Sequence, residues 1–218
     1  MTSKNLDKYP FFSNIDTIVF DFGGVIVNLD IEQCIRKINA LGVVNVEQFL
    51  SNYGQKDFFL KFEKGEISTS EFRDSIRKMA SAPLTDEQID DAWCAFLVDI
   101  PKEKIEIIRE LKKNFKLLLL SNTNPLHIEK SAVKALAPYN CSLNDLFDKC
   151  YLSYEMKMTK PNEDIFISLL NDAGVNAENC LFLDDGPKNI ETANKLGFQT
   201  YLVDPKESLD FLLRNINV

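Results

Sequence analysis

Residues 17–30, Thr17 to Asp30, read TIVFDFGGVIVNLD. Ile18, Val19 and Phe20 form a short apolar run rich in β-branched and aromatic types, which predicts a buried strand ending at Asp21. Gly23 and Gly24 follow, where a missing Cβ lets the backbone turn and approach a ligand closely. A carboxylate at the C-terminal end of a central parallel strand stands where open α/β sheets bind ligands. Taken alone, Asp21 is more simply read as an acidic residue that ends a strand.

Downstream of this stretch the pattern changes twice. From about Asp30 to Ile100 no convincing strand occurs. Ile31, Ile35, Ile38 and Leu41 recur at helical spacing before Gly42, and Phe58, Phe59 and Phe62 do so before Gly65. Ser68 with Glu71, and Thr85 with Gln88, have capping-box spacing and open two more helices. The stretch reads as a bundle of about four helices. After Pro101, expected at the first position of a helix that Asn114 ends in the left-handed conformation, strands alternate with helices. Strands are expected at Lys116–Ser121, Cys150–Leu152, Cys180–Leu183 and Gln199–Val203, with helices around Asp164–Ala173, Lys188–Leu196 and Glu207–Arg214. That alternation implies right-handed βαβ units and a parallel sheet covered on both faces.

Asp21 and Ser121 are 100 residues apart, whereas a βαβ unit needs only about 30. The surplus is the helical stretch, so residues 30–99 are expected as a domain inserted into a core made of 1–29 and 100–218. Residues 1–14 read as an arm packed through Phe11 and Phe12.

The net charge of −8 comes without a block of Lys or Arg. This disfavours nucleic acid and anionic membrane as partners, since both require a basic surface. The N-terminus lacks the apolar core of a secretory signal, and no run approaches the roughly 18 residues that span a bilayer. A cytoplasmic location is the default expectation. The five cysteines are odd in number and show no CxxC spacing, as expected of reduced thiols.

Four short motifs end or follow the expected strands: Asp21-Phe22-Gly23-Gly24-Val25, Ser121-Asn122-Thr123-Asn124-Pro125, Lys160-Pro161, and Asp184-Asp185-Gly186-Pro187-Lys188-Asn189. Each has a bland reading. The second can be a helix cap with Pro at the first position, the third a solvated lysine, and the fourth acidic residues favoured by a helix dipole. Carboxylates gathered at neighbouring strand ends repel one another unless a cation or proton lies among them. Oxygen ligands of this kind suit a hard divalent ion, Mg²⁺ above all.

In this order, the four motifs resemble those of the haloacid dehalogenase (HAD) superfamily over Thr17 to Leu202. FDFGGVIVNLD, FEKGEIS, LLSNTNPLH, TKP and LFLDDGPKN are most similar to the subgroup of bacterial α-D-glucose-1-phosphatase and the phosphatase-like N-terminal domain of soluble epoxide hydrolases. The resemblance implies a Rossmann-like α/β core with an inserted helical cap. Its implied chemistry is Mg²⁺-dependent hydrolysis of a small phosphorylated metabolite, such as glucose 1-phosphate, through an aspartyl-phosphate on Asp21. Ser121 and the Asn122 amide would hold the phosphoryl oxygens, and Lys160 would offset their charge. The metal would be held by Asp21, the Gly23 carbonyl and Asp185, with Asp184 behind them.

One departure stands out. Phosphatases of this superfamily usually carry an aspartate, the general acid and base, two residues after the nucleophile, where this chain has Gly23. His127, the single histidine, is a candidate substitute, with a packed or surface histidine as the plain alternative. Lys61, Lys64 and Trp93 are candidates for contacting a leaving group, against helix-turn charges and a core tryptophan. Two other functions stay open: a phosphate-binding protein of weakened catalysis, and a 2-haloacid dehalogenase. Oligomeric state is not legible.

Overall fold

The structure is a computed structural model that describes residues 9–43, 46–48, 50 and 57–216. Five strands, β1 (Thr17–Phe20), β2 (Lys116–Ser121), β3 (Lys149–Leu152), β4 (Cys180–Asp184) and β5 (Gln199–Leu202), form one sheet in the order β3-β2-β1-β4-β5. Every pairing is parallel, and Phe20 lies level with Leu119 on one side and Leu183 on the other. β1 is thus the central strand.

Because side chains alternate across a strand, the apolar runs supply two cores at once. Ile18, Phe20, Leu117, Leu119, Leu181 and Leu183 face one buried cluster. Val19, Leu118, Leu120, Cys180 and Phe182 face the other, closed by Ile165, Phe166, Leu169 and Ala193 from the helices Glu163–Ala173 and Pro187–Lys195. Burying each such Leu or Phe side chain stabilises the fold by about 1.5–3 kcal/mol. An α/β core covered on both faces follows, as the continuous apolar strands require.

Between β1 and α5 (Lys102–Leu111) the chain forms α1 (Ile31–Ala40), α2 (Asp57–Glu63), α3 (Thr69–Met79) and α4 (Asp86–Trp93). Asp30 caps α1 by accepting from Gln33 N at 2.7 Å. Both expected capping boxes are present, at Ser68/Glu71 and Thr85/Gln88. Phe59, Phe62, Phe72 and Trp93 are buried together, with Phe62 stacked on Phe72 at 4.3 Å and Phe72 tilted against Trp93 at 5.1 Å. The segments entering and leaving these helices run antiparallel: Asn28 N donates to Asp99 O, Val98 N to Asn28 O, and Leu29 bridges Leu97. A second link is ionic. Asp90 of α4, its side chain buried, accepts from Arg73 of α3 and from Lys130, which follows β2 in the chain.

Some local expectations are corrected. Pro101 is the N-cap of α5 rather than its first residue. Asn114 does not take the left-handed conformation, because α5 closes through right-handed turns in which Asn114 N and Phe115 N both donate to Leu111 O. Only Leu212–Asn215 is helical in the expected Glu207–Arg214 segment. There Glu207 accepts from Asp204 N and from the Tyr201 hydroxyl, local bonds that compete with a helix. Phe12 is buried but Phe11 is exposed, and residues 1–8 of the expected arm lie outside the described residues. All five cysteines are free thiols. No helix among the described residues is long and apolar enough to cross a membrane.

Candidate active site

The C-terminal ends of the three central strands meet at one place. Asp21 follows β1, and its N–H continues the ladder by donating to Leu183 O at 2.8 Å. Ser121 ends β2 and Asp184 ends β4. Lys160 reaches the same point, its ammonium 2.9 Å from Asp21 Oδ1 and 2.6 Å from Asp184 Oδ2.

Each group is held by its neighbours. Asp21 Oδ1 also accepts from Phe22 N at 2.7 Å. Asp184 is fully buried, and its Oδ1 accepts from Gly186 N and Asn189 Nδ2 at 2.7 and 2.8 Å. The Asn122 side chain grips the backbone of Lys160 at both ends, Nδ2 donating to Lys160 O and Oδ1 accepting from Lys160 N, each at 2.9 Å. That leaves the Asn122 main-chain amide, and not its side chain, for any anion beside Ser121. Ser121 is buried and lines the cavity, and its hydroxyl bonds to none of the described residues. A buried hydroxyl in that state is suited to a ligand.

The electrostatics favour a cation or proton. Burial, with Asp184 and Asp185 nearby, raises Asp21 to about 7 despite the opposing pull of Lys160. Burial and Asp184 raise Asp185 to about 6. Burial works against charge on Lys160, yet Asp184 and Asp21 outweigh it and raise the ammonium's pKa. Carboxylate oxygens of Asp21, Asp184 and Asp185 come within 4.8 Å of one another. A donor set of oxygens only, with like charges unrelieved by one lysine, fits a hard divalent ion. With Asp184 saturated by three donors, Asp21 and Asp185 are the better placed as direct ligands. Gly24 makes this approach possible: at φ +73 its added Cβ would stand 2.3 Å from Asp185 Oδ2.

A cavity of about 70 Å³ lies over these groups. Its floor includes Asp21, Gly23, Ser121, Asn122, Lys160 and Asp185. Its roof comes from the inserted helices and their return, through Glu63, Phe96 and Leu97.

His127 also borders the cavity, but it belongs to a closed network. Asn124 Nδ2 lies 3.1 Å from Nδ1, and Nε2 lies 3.3 Å from Trp93 O. These contacts make Nδ1 an acceptor and Nε2–H a donor, the neutral tautomer. Asn124 Oδ1 meanwhile accepts from His127 N and Trp93 Nε1, and the His127 ring stacks on Trp93 at 4.8 Å. Burial lowers His127 to about 4, against a weaker opposing effect of the Trp93 carbonyl. His127 and Trp93 are both buried and held in this network. Lys61 is exposed, and neither it nor Lys64 lines the cavity. Glu63 does, a residue not singled out by the sequence, although FEKGEIS contains it. Nothing in helical periodicity marks a glutamate on the last turn of α2 as buried beside a cavity.

Comparison with known proteins fits this geometry. The family model described as haloacid dehalogenase-like hydrolase matches residues 15–197. The chain is 36% identical over 197 residues, 90% of its length and 95% of the relative's, to D-ribitol-5-phosphate phosphatase of Bacteroides thetaiotaomicron. It superposes with a TM-score of 0.86 on the HAD family enzyme bt-2542 of the same organism, solved with magnesium and inorganic phosphate; that enzyme is 40% identical, with 92% of this chain and 100% of that one covered. A HAD-like family hydrolase of Porphyromonas gingivalis gives 0.84 at 41% identity, covering 92% of this chain and 98% of that one.

Proposed function

Because this chain belongs to the haloacid dehalogenase-like hydrolases and is a phosphatase of that family with Mg²⁺ as its cofactor, we propose that it hydrolyses the phosphate monoester of a small polyol or sugar. A pentitol phosphate of the kind named for its Bacteroides relative is the first choice, and a sugar 1-phosphate the second. The observation that carries this reading is the convergence of Asp21, Ser121, Lys160 and Asp185 on one small cavity.

Asp21 attacks phosphorus and forms an aspartyl-phosphate, replacing one difficult displacement by two easier ones. Its bonds from Phe22 N and Lys160 keep the carboxylate aligned. The Ser121 hydroxyl and Asn122 N–H hold phosphoryl oxygens, while Lys160, anchored by Asp184, offsets the charge that develops there. Asp21, Asp185 and the Gly23 carbonyl would hold Mg²⁺, which when bound would stabilise charge on the transferring phosphoryl group. Alignment and electrostatics of this type account for most of the rate in phosphoryl transfer.

Residues 30–99 act as a cap over this floor. A cavity of about 70 Å³ is far below the roughly 300–1,000 Å³ of pockets that enclose larger ligands. The arrangement is thus a closed one, and a sugar phosphate enters when the helices swing on the paired strands at Asn28–Leu29 and Leu97–Asp99.

The test is phosphate release from pentitol phosphates, sugar phosphates including glucose 1-phosphate, and an aryl phosphate, with Mg²⁺ or chelator, in wild type and Asp21→Asn. Metal-dependent turnover lost in the variant supports the reading. Mg²⁺ and phosphate binding without turnover would favour the binding protein that Gly23 suggests, and chloride release from a 2-haloacid in chelator would favour the dehalogenase.

A further inference from the structure

Phosphoryl transfer is roughly in line, so an ester whose phosphorus faces Asp21 directs its leaving oxygen, and the carbon bonded to it, away from the floor. Three apolar residues, Leu29, Phe96 and Leu97, line the cavity there together with Gly23. The tips of Leu29 are seated on Gly23: a Cβ added to the glycine would lie 3.2 Å from Leu29 Cδ1 and 3.4 Å from Cδ2. The room that a side chain at residue 23 would fill is therefore taken by Leu29, which reaches over from the segment that leads into the inserted helices. Phe96 is buried, with its ring parallel to that of His127 at 5.5 Å.

Backbone pairing fixes this wall. Leu29 bridges Leu97 in antiparallel fashion, flanked by bonds from Val98 N to Asn28 O and from Asp30 N to Phe96 O, each at 2.9 Å. Asn28 N also donates to Asp99 O at 2.8 Å, and the side chains of the same two residues join through Asn28 Nδ2 and Asp99 Oδ1 at 2.9 Å. The wall thus lies at the root of the inserted helices, beside the floor, and does not depend on where their far ends stand.

Resting on the phosphatase reading above, we propose that Leu29, backed by Phe96 and Leu97, is a specificity-determining residue that restricts the enzyme to primary phosphate esters, in which a methylene follows the ester oxygen. A methylene packs on this wall without burying a polar atom. A branched ester carbon brings a second substituent, a hydroxymethyl group or a ring oxygen, which loses its water there and gains no partner. It also needs the space that the tips of Leu29 hold. With about 70 Å³ open above the floor, discrimination falls on the atoms nearest phosphorus. A terminal pentitol phosphate meets this condition, whereas a sugar 1-phosphate is branched at its ester carbon and does not.

The test measures kcat/KM of wild type, Leu29→Ala and Leu29→Phe on two pairs of isomers with matched leaving groups. These are glycerol 3-phosphate against glycerol 2-phosphate, and ribitol 5-phosphate against ribitol 2-phosphate, with p-nitrophenyl phosphate as a check on turnover itself. Wild type is expected to favour the primary isomer by about 10–100-fold, the range that one misfitting group produces in an apolar pocket. Leu29→Ala should narrow that ratio about tenfold, chiefly by gain on the secondary ester, and Leu29→Phe should widen it. Poor folding lowers both isomers together and cannot move their ratio in opposite directions in two variants. Equal wild-type values for the two isomers, a preference for the secondary one, or a ratio that Leu29→Ala leaves unmoved would each overturn the assignment and leave the phosphatase reading intact. So would a wild type that turns over the aryl ester and none of the alkyl esters. A wild type inert on every one of these esters would remove both.

Discussion

Lys160 Nζ lies 2.9 Å from Asp21 Oδ1, so the cation that follows β3 is locked to the carboxylate that follows β1. The same ammonium holds Asp184 at 2.6 Å, and none of the three side chains is more than slightly exposed. Removing one partner of such a buried set leaves charge uncompensated, typically at a cost of about 3–5 kcal/mol. Lys160→Met is expected to lower the melting temperature, by more in chelator than in Mg²⁺, and to cut kcat at least about 100-fold. A variant as stable as wild type in chelator would show that the carboxylates find protons instead.

Stability should depend on pH through His127. Its folded value of about 4 lies below the ordinary 6.5, so the unfolded chain binds the proton more readily. The contribution is complete above about pH 6.5 and is lost as pH falls toward 4, on the order of 3 kcal/mol in all. Urea midpoints of wild type and His127→Gln, measured from pH 7 down to 4.5, should converge as pH falls. The pH–rate profile of the variant should keep both of its limbs, since the ring is not the proton donor.

Two glycines separate strain from site geometry. Gly24 and Gly174 both have positive φ, at +73 and +65, but an added Cβ meets Asp185 Oδ2 at 2.3 Å in the first and nothing within 4 Å in the second. Gly174→Ala should therefore cost only the backbone penalty of about 1–2 kcal/mol. Gly24→Ala should add a displaced Asp185 and weaken Mg²⁺ binding at least about tenfold, measured by calorimetry. Equal Mg²⁺ affinity in the two variants would argue against Asp185 as a ligand.

Ser153→Ala removes the hydroxyl that joins Glu63 O to Thr123 N. Leaving those buried backbone groups without it costs about 1–3 kcal/mol. Hydrogen exchange should rise at Thr123 and in the segment after Glu63, with KM rising as the cap seats less firmly. Unchanged exchange at Thr123 would mean that the clamp is replaced by water.

Much of the fold was legible because its signals are local. The runs at Ile18–Phe20 and Leu117–Leu120 are apolar at every position, which only a sheet covered on both faces explains, and the capping boxes at Ser68 and Thr85 need only neighbours three residues away. The segment 207–214 was misread for a related reason. Its helical spacing is genuine, but Glu207 bonds to Asp204 N and Tyr201, and the tyrosine comes from a strand.

Residue order alone determined which groups end the central strands, because strand spacing carries Asp21, Ser121, Asp184 and Asp185 to one edge of a parallel sheet whatever the loops do. Tertiary structure decided what those groups have left to offer. The Asn122 side chain is tied to the Lys160 backbone, both nitrogens of His127 are occupied, and Glu63 is buried at the edge of the cavity. Hydrogen-bond saturation and burial depend on partners tens of residues away in the chain, and a periodicity read along one segment carries no information about them.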